Sequence, residues 1–166
     1  MFKEIVFDEI NEDLRKRLKK DFALVTAGDE NDLNTMTVSW GSFGEIWNKS
    51  IVTIYIRKSR YTVKYLDKKE YFTLSFYGKE YKKQLGLCGI KSGRDIDKVR
   101  ETGFSVMYDE APFFKEADLV LICRKVSKLD YSLGEIFDEK IVSENYKDQD
   151  YHYAYTGIIE KVLIKE

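Results

Sequence analysis

Runs of β-branched and aromatic residues recur along this chain, and they limit the folds open to it more than any other feature. Such residues dominate Ile51 to Ile56 and Tyr71 to Tyr77, and two further long runs cover residues 119–131 and 153–164. Residues of this kind pack well on a pleated surface and are enriched in strands. A shorter apolar run, Phe22 to Ala27, precedes a polar turn. The sequence therefore predicts a mainly β protein.

The segment from Asn34 to Trp40 alternates between two kinds of side chain. One face carries hydroxyls and the other is apolar: Thr35, Thr37 and Ser39 against Met36, Val38 and Trp40. Because alternate residues of a strand point to opposite faces, we expect the hydroxyl face to meet water or a ligand. By the same argument, we expect Met36 and Trp40 to point into the core.

The spacing of apolar residues predicts several short helices. They cover Asp8–Lys20, with Asp8 or Asn11 as its cap, Ser59–Lys69, Lys79–Cys88 and Arg94–Thr102, closed by Gly103. The acidic stretch Asp130–Gln149 is predicted to be a long loop with a short helix. About six strands, few helices and a single proline predict a predominantly antiparallel barrel with short peripheral helices. At this length, residues 1–166 are expected to form a single domain.

The charge balance argues against two classes of partner. The chain has 28 Lys and Arg against 29 Asp and Glu, a net charge of −1, whereas binders of nucleic acid or membrane surfaces usually show a basic excess.

No run approaches the ~18 apolar residues that a membrane span needs, and the first residues do not form a signal peptide. Cys88 and Cys123 are expected to be free thiols. We therefore expect a cytoplasmic protein without nucleic-acid or membrane partners.

Few side chains offer catalytic chemistry of their own. The single histidine, His152, excludes a zinc site built from several imidazoles. No GxSxG elbow supports acyl transfer, and Ile90 stands where a phosphate-binding P-loop needs glycine before Lys91. A carboxylate pair for glycoside hydrolysis stays open, because the spacing of the acidic residues singles out no pair. The sequence predicts no catalytic side chain and no metal site.

Two turns combine cations with hydroxyls. Arg57 to Thr62 lies where a predicted strand gives way to a helix, and Lys91, Ser92 and Gly93 precede another predicted helix. Either turn alone has an ordinary alternative, a helix cap with solvated basic residues. Together, if they converge, they would hold a compact dianion such as a phosphate monoester, and nearby aromatic residues would accept a flat ring. A phosphorylated aromatic cofactor meets both needs.

Five segments, in this order and spacing, resemble the flavin reductase-like family and in particular its flavoredoxin branch. They are Ala23–Gly28, Asn34–Gly41, Ile56–Thr62, Tyr71–Phe76 and Cys88–Asp95. The resemblance covers residues 20–165. It implies a Greek-key split β-barrel, the FMN-binding split barrel, which forms a homodimer with one FMN per subunit near the subunit contact. Flavin carries out hydride and electron transfer itself, which agrees with the scarcity of catalytic side chains.

The resemblance also implies where the cofactor binds. The strand residues Asn34, Thr35, Met36, Thr37, Ser39 and Trp40 would run beside the isoalloxazine ring. The phosphate and ribityl oxygens would be held by Arg57, Ser59, Tyr61 and Thr62, with Lys91 and Ser92 at the same end. Cys88 would touch the cofactor, and Tyr151 and His152 would lie near the open ring face or the dimer contact. For Cys88 and His152, burial without a functional role is the alternative. Lys58 stands where we expect proline in many relatives, which leaves the phosphate turn less preset.

Three functions follow from these patterns. The first is an oxidoreductase that accepts hydride from NADH or NADPH on FMN and reduces a flavin or another small acceptor. The second is an FMN-carrying electron-transfer protein that a redox protein partner reduces. The third, unrelated to the resemblance, is a barrel that binds single-stranded nucleic acid through tyrosine and lysine side chains.

Overall fold

Strands dominate the computed structural model, which describes residues 1–166. The strands are β1 (Phe2–Ile5), β2 (Ala23–Gly28), β3 (Leu33–Val38), β4 (Gly41–Ile46), β5 (Lys49–Arg57), β6 (Tyr71–Phe76), β7 (Val106–Tyr108), β8 (Pro112–Phe114), β9 (Leu119–Asp130) and β10 (His152–Lys165). The helices are α1 (Leu14–Asp21), α2 (Thr62–Lys68), α3 (Lys82–Ile90), α4 (Lys98–Thr102) and α5 (Glu139–Asn145), with single 3-10 turns at Phe7–Glu9 and Lys79–Tyr81. No helix combines the length and the apolar character that a membrane crossing requires.

One antiparallel sheet forms the body of the molecule. Its strand order is β3-β2-β6-β9-β10-β5-β4, with β1 paired to β10, while β7 and β8 form a separate hairpin. Strands β3 and β4 are the two ends of the sheet, and only Ser39 and Trp40 separate them in the chain. β3 contacts β5 without pairing with it. The sheet therefore curls into a barrel that stays open along β3, which confirms the predicted mainly β fold.

Side chains from both ends of the sheet fill the interior of this barrel. Val25 of β2 and Met36 of β3 pack in the same buried cluster as Ile54 of β5, Phe72 of β6 and Tyr155 of β10. Strands paired in an open, flat sheet would not bring these residues together, so the cluster establishes the curvature. A second buried cluster covers the outer face of β2 and β9, where α3 and the β7–β8 hairpin pack against it.

The first helix starts later than the sequence predicts. α1 begins at Leu14 because the Asp13 carboxylate accepts a hydrogen bond from the Lys16 amide at 2.9 Å. This cap satisfies an otherwise free amide of the first turn. The predicted start at Asp8, with Asp8 or Asn11 as cap, is therefore wrong, and Asp8 lies in a separate 3-10 turn.

A second helix start is wrong for the same reason, while the helix end is correct. α4 begins at Lys98 rather than Arg94, because the Asp97 carboxylate accepts from the Arg100 amide at 3.1 Å. Its end at Gly103 is confirmed, since that residue adopts a left-handed φ of 68°. The predicted loop with a short helix between β9 and β10 is also confirmed, because α5 is its only helix.

We expect Gly157→Ala to lower the free energy of unfolding by about 1–3 kcal/mol, because there is no room for the added methyl group. Gly157 lies at a register shift between β9 and β10, and a Cβ there would come within 2.8 Å of the Phe72 ring and 2.9 Å of the Cys123 Cβ. Gly44→Ala is the matched control, since its Cβ would have no neighbour within 4 Å. Urea unfolding of both variants measures the difference, and equal stabilities would contradict this account of the core.

Candidate functional site

Two turns that are distant in the sequence meet at one cavity. Ser59–Thr62, which follows β5, and Lys91–Arg94, which follows α3, line a cavity of about 140 Å³. Asn34 and Met36 of β3 form another wall, together with Cys88 and Lys98. The convergence that a phosphate site requires is therefore present in the fold. We refer to this cavity as the cationic cradle.

Positive charge dominates the cationic cradle. Arg60, Lys91, Arg94 and Lys98 line it, and no carboxylate does. The Arg94 guanidinium lies 4.9 Å from the centroid of the Tyr61 ring and donates to the Ser59 carbonyl at 3.3 Å. Cations grouped without carboxylates favour an anion, and guanidinium groups suit phosphate oxygens. The cradle has the composition of a phosphate site.

Lys98 is the least ordinary residue of the cradle. Its side chain is buried, with only 6% of the residue exposed, and its ammonium donates to the carbonyls of Thr35 at 2.8 Å and Cys88 at 2.9 Å. An ammonium has three donors, so two carbonyls leave one free. Burial lowers the pKa of Lys98, and no carboxylate lies beside it to offset the cost. An anion in the cradle would supply the missing counter-charge.

Sequence reasoning missed Lys98. Its neighbours Ile96 and Val99 provide the apolar positions of the predicted helix, so Lys98 has the pattern of a solvated surface residue. The one available signal was its closeness to Lys91 and Ser92 in the chain. What places it in the cradle is a contact with Thr35, 63 residues away.

A short hydrogen bond and a glycine hold the cradle together. The Asn34 side-chain amide donates to the Thr62 hydroxyl at 2.7 Å, and both residues are buried. A Cβ at Gly93 would overlap the Asn34 side chain and come within 3.1 Å of the Tyr61 ring. Only glycine permits this approach, so Gly93 lets the second turn close onto β3 and the first turn.

The threonine hydroxyls of β3 form hydrogen bonds within the protein. The Thr35 hydroxyl pairs with the Thr26 hydroxyl at 2.9 Å, and Thr35 is only 1% exposed. The Thr37 hydroxyl donates to the Leu85 carbonyl of α3. The expectation that this face meets water or a ligand is therefore wrong for Thr35. The unpaired edge of β3 offers backbone groups instead, because only β2 pairs with this strand.

A trough connects the cradle with a larger aromatic cleft. Residues 36–40, with Tyr55, Arg57, Arg60 and His152, line a middle cavity of about 200 Å³. Met36 and Arg60 belong to both this cavity and the cradle. On the far side it shares Ser39, Trp40, Tyr55 and His152 with a cleft of about 580 Å³. Tyr131 and Tyr146 also line this cleft, which we call the aromatic cleft. The trough suits an elongated molecule with an anionic end and a flat ring.

Trp40 lies in the wall of the trough rather than in the barrel core. It is 49% exposed, and its ring centroid is 5.1 Å from that of His152. The prediction that Trp40 points inward is wrong because β3 ends at Val38, so the strand alternation does not extend to it. Met36 lies within the strand, is buried as predicted and also lines the cradle.

Arg57 points away from the cradle. Its guanidinium donates to the backbone carbonyls of Asp150 at 2.8 Å and Asn145 at 2.9 Å. Asp150 in turn accepts from the Ser59 amide at 3.0 Å and from the Ser59 hydroxyl at 2.6 Å. Arg60 lines the cradle, whereas Arg57 lines the middle cavity and anchors the segment that leads into β10. The predicted contact of Arg57 with the phosphate and ribityl oxygens stays a prediction.

His152 and Tyr151 lie at the start of β10, beside the aromatic cleft. His152 is 6% exposed, and its Nδ1 hydrogen-bonds to the Tyr146 hydroxyl at 2.9 Å. Burial, aided by the nearby Arg57 charge, lowers the pKa of His152 to about 4, so the ring is neutral near pH 7. Tyr151 stacks on Tyr146 with 4.4 Å between ring centroids. His152 and Tyr146 line the cleft, and Tyr151 does not line it but contacts Tyr146.

Cys88 is a wall residue and not a nucleophile. It is 1% exposed, and burial raises the pKa of its thiol to about 11. A thiol attacks only as the thiolate, which is scarce at neutral pH with such a pKa. Cys123 is buried in the core, away from the cradle. The residues of the site are therefore suited to binding and orienting a ligand that brings its own chemistry.

Comparison with known proteins identifies relatives of this chain. The family described as flavin reductase like domain matches residues 15–157. Flavoredoxin from Methanosarcina acetivorans is 26% identical, with a TM-score of 0.69 over 88% of this chain and 69% of that chain. Flavoredoxin of Desulfovibrio vulgaris is 19% identical, with a TM-score of 0.68 over 87% of this chain and 69% of that one.

A third solved structure extends the likeness to the whole length of the chain. Nitrilotriacetate monooxygenase component B from Bacillus cereus is 15% identical, with a TM-score of 0.69 over 98% of this chain and 81% of that chain. A comparison with curated protein sequences found no match. Because the family match runs from residue 15 to residue 157, the chain belongs to the flavin reductase-like domain family.

Proposed function

We propose that this protein is an FMN-binding oxidoreductase that accepts hydride from NADH or NADPH and passes electrons to a flavin or another small acceptor. The observation that carries the proposal is the cationic cradle, with its buried Lys98 that has no carboxylate partner, joined by a trough to an aromatic cleft. Solved structures that share the fold include proteins described as FMN-binding. The cradle at one end of the trough suits a phosphate, and the aromatic cleft at the other end suits a flat ring.

Residues of the cradle and of β3 would hold different parts of FMN. Arg60, Lys91, Arg94 and Lys98 would bind the phosphate, with the Ser92 hydroxyl at the same end. The unpaired backbone edge of β3 would meet the polar rim of the ring. When bound, FMN supplies hydride and single-electron transfer, which no side chain here provides. The protein contributes orientation, charge and shelter from water.

A second candidate function is an FMN-carrying electron-transfer protein that a protein partner reduces. The 26% identity to a flavoredoxin supports it. So do two exposed apolar side chains of the acidic segment between β9 and β10, Leu133 at 86% and Phe137 at 89% exposure. Exposed apolar side chains of this size often mark protein contacts.

Assembly as a homodimer stays a prediction of the family resemblance, and a cytoplasmic location stays a prediction from the sequence. Ile46 and Trp47, at the turn between β4 and β5, are 45% and 61% exposed. This apolar turn is available to a second copy of the chain. The role of Tyr151 and His152 at a dimer contact also stays a prediction.

We expect the freshly purified protein to be yellow, with one FMN per chain, and NADH or NADPH to bleach the flavin band under anaerobic conditions. Colour that persists until a reduced protein partner is added would favour the electron carrier. A colourless protein that ignores added FMN would contradict both functions. If that protein bound oligonucleotides with a strong salt dependence, the nucleic-acid alternative would gain support.

We expect Arg60→Ala to weaken FMN binding by about ten- to a hundredfold, because a charge-assisted hydrogen bond contributes roughly 1.5–3 kcal/mol. Arg100→Ala is the matched control, since Arg100 is an exposed arginine of α4 that does not line the cradle. Fluorescence titration of the flavin-free protein measures both affinities. An equal loss in the two variants would show that only the diffuse positive field matters.

We expect FMN affinity to fall as the pH rises through the pKa of Lys98, which lies below its ordinary value. Burial places its pKa below the ordinary value of 10.5 in the free protein. A bound anion favours the charged ammonium and raises that pKa, so binding takes up protons and weakens as they become scarce. In Lys98→Met the affinity should be lower and its pH slope flatter. The same slope in both proteins would remove Lys98 from the phosphate site.

A further inference from the structure

Tyr146 and His152 form a hydrogen-bonded pair in the wall of the aromatic cleft. The Tyr146 hydroxyl and His152 Nδ1 lie 2.9 Å apart, and the two rings pack edge to face with 5.6 Å between their centroids. Both residues are buried, and both line the cleft. A buried polar pair is satisfied in only one arrangement of its hydrogens, and that arrangement decides what the pair offers to a ligand.

The hydrogen between the two side chains belongs to Tyr146. Burial raises the pKa of Tyr146, and the nearby Arg57 charge lowers it by less, so the hydroxyl keeps its hydrogen at neutral pH. That hydrogen has no acceptor in the protein other than His152 Nδ1. A hydrogen on Nδ1 would leave the buried hydroxyl hydrogen without a partner, which is unfavourable. The Tyr146 hydroxyl therefore donates, and Nδ1 accepts.

The other ring nitrogen of His152 then carries the hydrogen of the imidazole. Because burial lowers the pKa of His152 to about 4, the ring is neutral near pH 7 and has one N–H, which lies on Nε2 when Nδ1 accepts. Nε2 has no partner in the protein, and the buried side-chain atoms that lack one are Ser75 Oγ, Tyr77 Oη and Gln84 Oε1. Nε2 is therefore accessible, and the spaces beside His152 are the aromatic cleft and the middle cavity.

Arg57 holds Tyr146 in this position. Its guanidinium donates to the carbonyls of Asn145 and Asp150, on either side of Tyr146 in the chain, and lies 5.7 Å from the centroid of the Tyr146 ring. Tyr151 stacks on the same ring with 4.4 Å between centroids. Moving the Tyr146 hydroxyl away from Nδ1 would disturb these contacts.

We propose that Tyr146 is a positioning residue: by donating to Nδ1, it holds His152 as a hydrogen-bond donor whose Nε2–H faces the ligand of the aromatic cleft. This donor selects a ligand with a hydrogen-bond acceptor, such as a carbonyl oxygen or an unprotonated ring nitrogen. The inference rests on the proposed function, because the flat ring expected in the cleft is that of FMN, and its rim carries such acceptors.

The test uses the fact that His152 is the only histidine of the chain. In flavin-free protein labelled with 15N, NMR of the two ring nitrogens shows which one carries the hydrogen, and we expect Nε2. In Tyr146→Phe we expect the nitrogen resonances to shift towards those of mixed tautomers. The pKa of His152 should rise from about 4 towards its ordinary 6.5, because the lost hydrogen bond favoured the neutral ring. The charges near His152, those of Arg57, Arg60 and Asp150, are the same in this variant.

Tyr153→Phe is the matched control. Tyr153 follows His152 in β10, so its side chain points to the other face of the strand, and its hydroxyl forms no hydrogen bond with His152. We expect the His152 resonances of this variant to match those of the unaltered protein.

Titration with FMN tests the contact with the ligand. We expect Tyr146→Phe to weaken FMN binding about twofold to tenfold, the range for one neutral hydrogen bond. Tyr153→Phe should leave it unchanged. His152→Gln, whose side-chain amide restores a donor, should retain more affinity than His152→Leu.

Three results would overturn the inference. They are a hydrogen on Nδ1 in the unaltered protein, no change of the His152 resonances and pKa in Tyr146→Phe, and equal FMN affinity in His152→Gln and His152→Leu. The first measurement decides even where Tyr146→Phe does not fold. Because it needs no flavin, the two proposals fail separately. A protein that binds FMN with the hydrogen on Nδ1 refutes only the role of Tyr146, whereas one with the hydrogen on Nε2 that does not bind FMN refutes the proposed function.

Discussion

The Lys98 ammonium lies between the carbonyls of Thr35 and Cys88, and the geometry of the site depends on this contact. The barrel is open along β3, so the carbonyls at that edge have no strand to pair with. A buried carbonyl without a hydrogen-bond donor lowers the stability of the fold, and Lys98 of α4 supplies the donor. The same contact fastens the end of α3 to the strand and carries a positive charge into the cradle. The Lys98 side chain thus satisfies carbonyls at the open edge of the sheet and also places a positive charge where an anion would bind.

The sequence predicted those parts of the structure that local chemistry determines. Runs of β-branched and aromatic residues identified the long strands, and the two turns rich in cations and hydroxyls converge as a phosphate site requires. It failed where a side chain is placed by a distant partner. Thr35 is turned inward by the Thr26 hydroxyl, nine residues away across the β2–β3 pair, and Lys98 is drawn into the cradle by the Thr35 carbonyl. Trp40 was misplaced because no local signal marked the end of β3 at Val38.

Burial keeps Cys88 and His152, the residues of the site with a nucleophilic or titratable group, in their uncharged forms. Cys88 is held as a thiol and His152 as a neutral imidazole, each by the cost of placing a charge in a buried environment. Charge is instead concentrated on the arginines and lysines of the cradle, although the chain as a whole has a net charge of only −1. This separation suits a site whose chemistry comes from a bound group.

The anchoring of the segment between β9 and β10 has a consequence for how such a protein diversifies. Lys58 bonds to Asp130 at 2.7 Å at one end of the segment, and Arg57 bonds to the Asn145 and Asp150 carbonyls at the other. Apart from Tyr131, which lines the aromatic cleft, the residues between these two anchors lie at the surface, where insertions between fixed ends cost little. The length and composition of this segment can thus change while the cationic cradle stays intact.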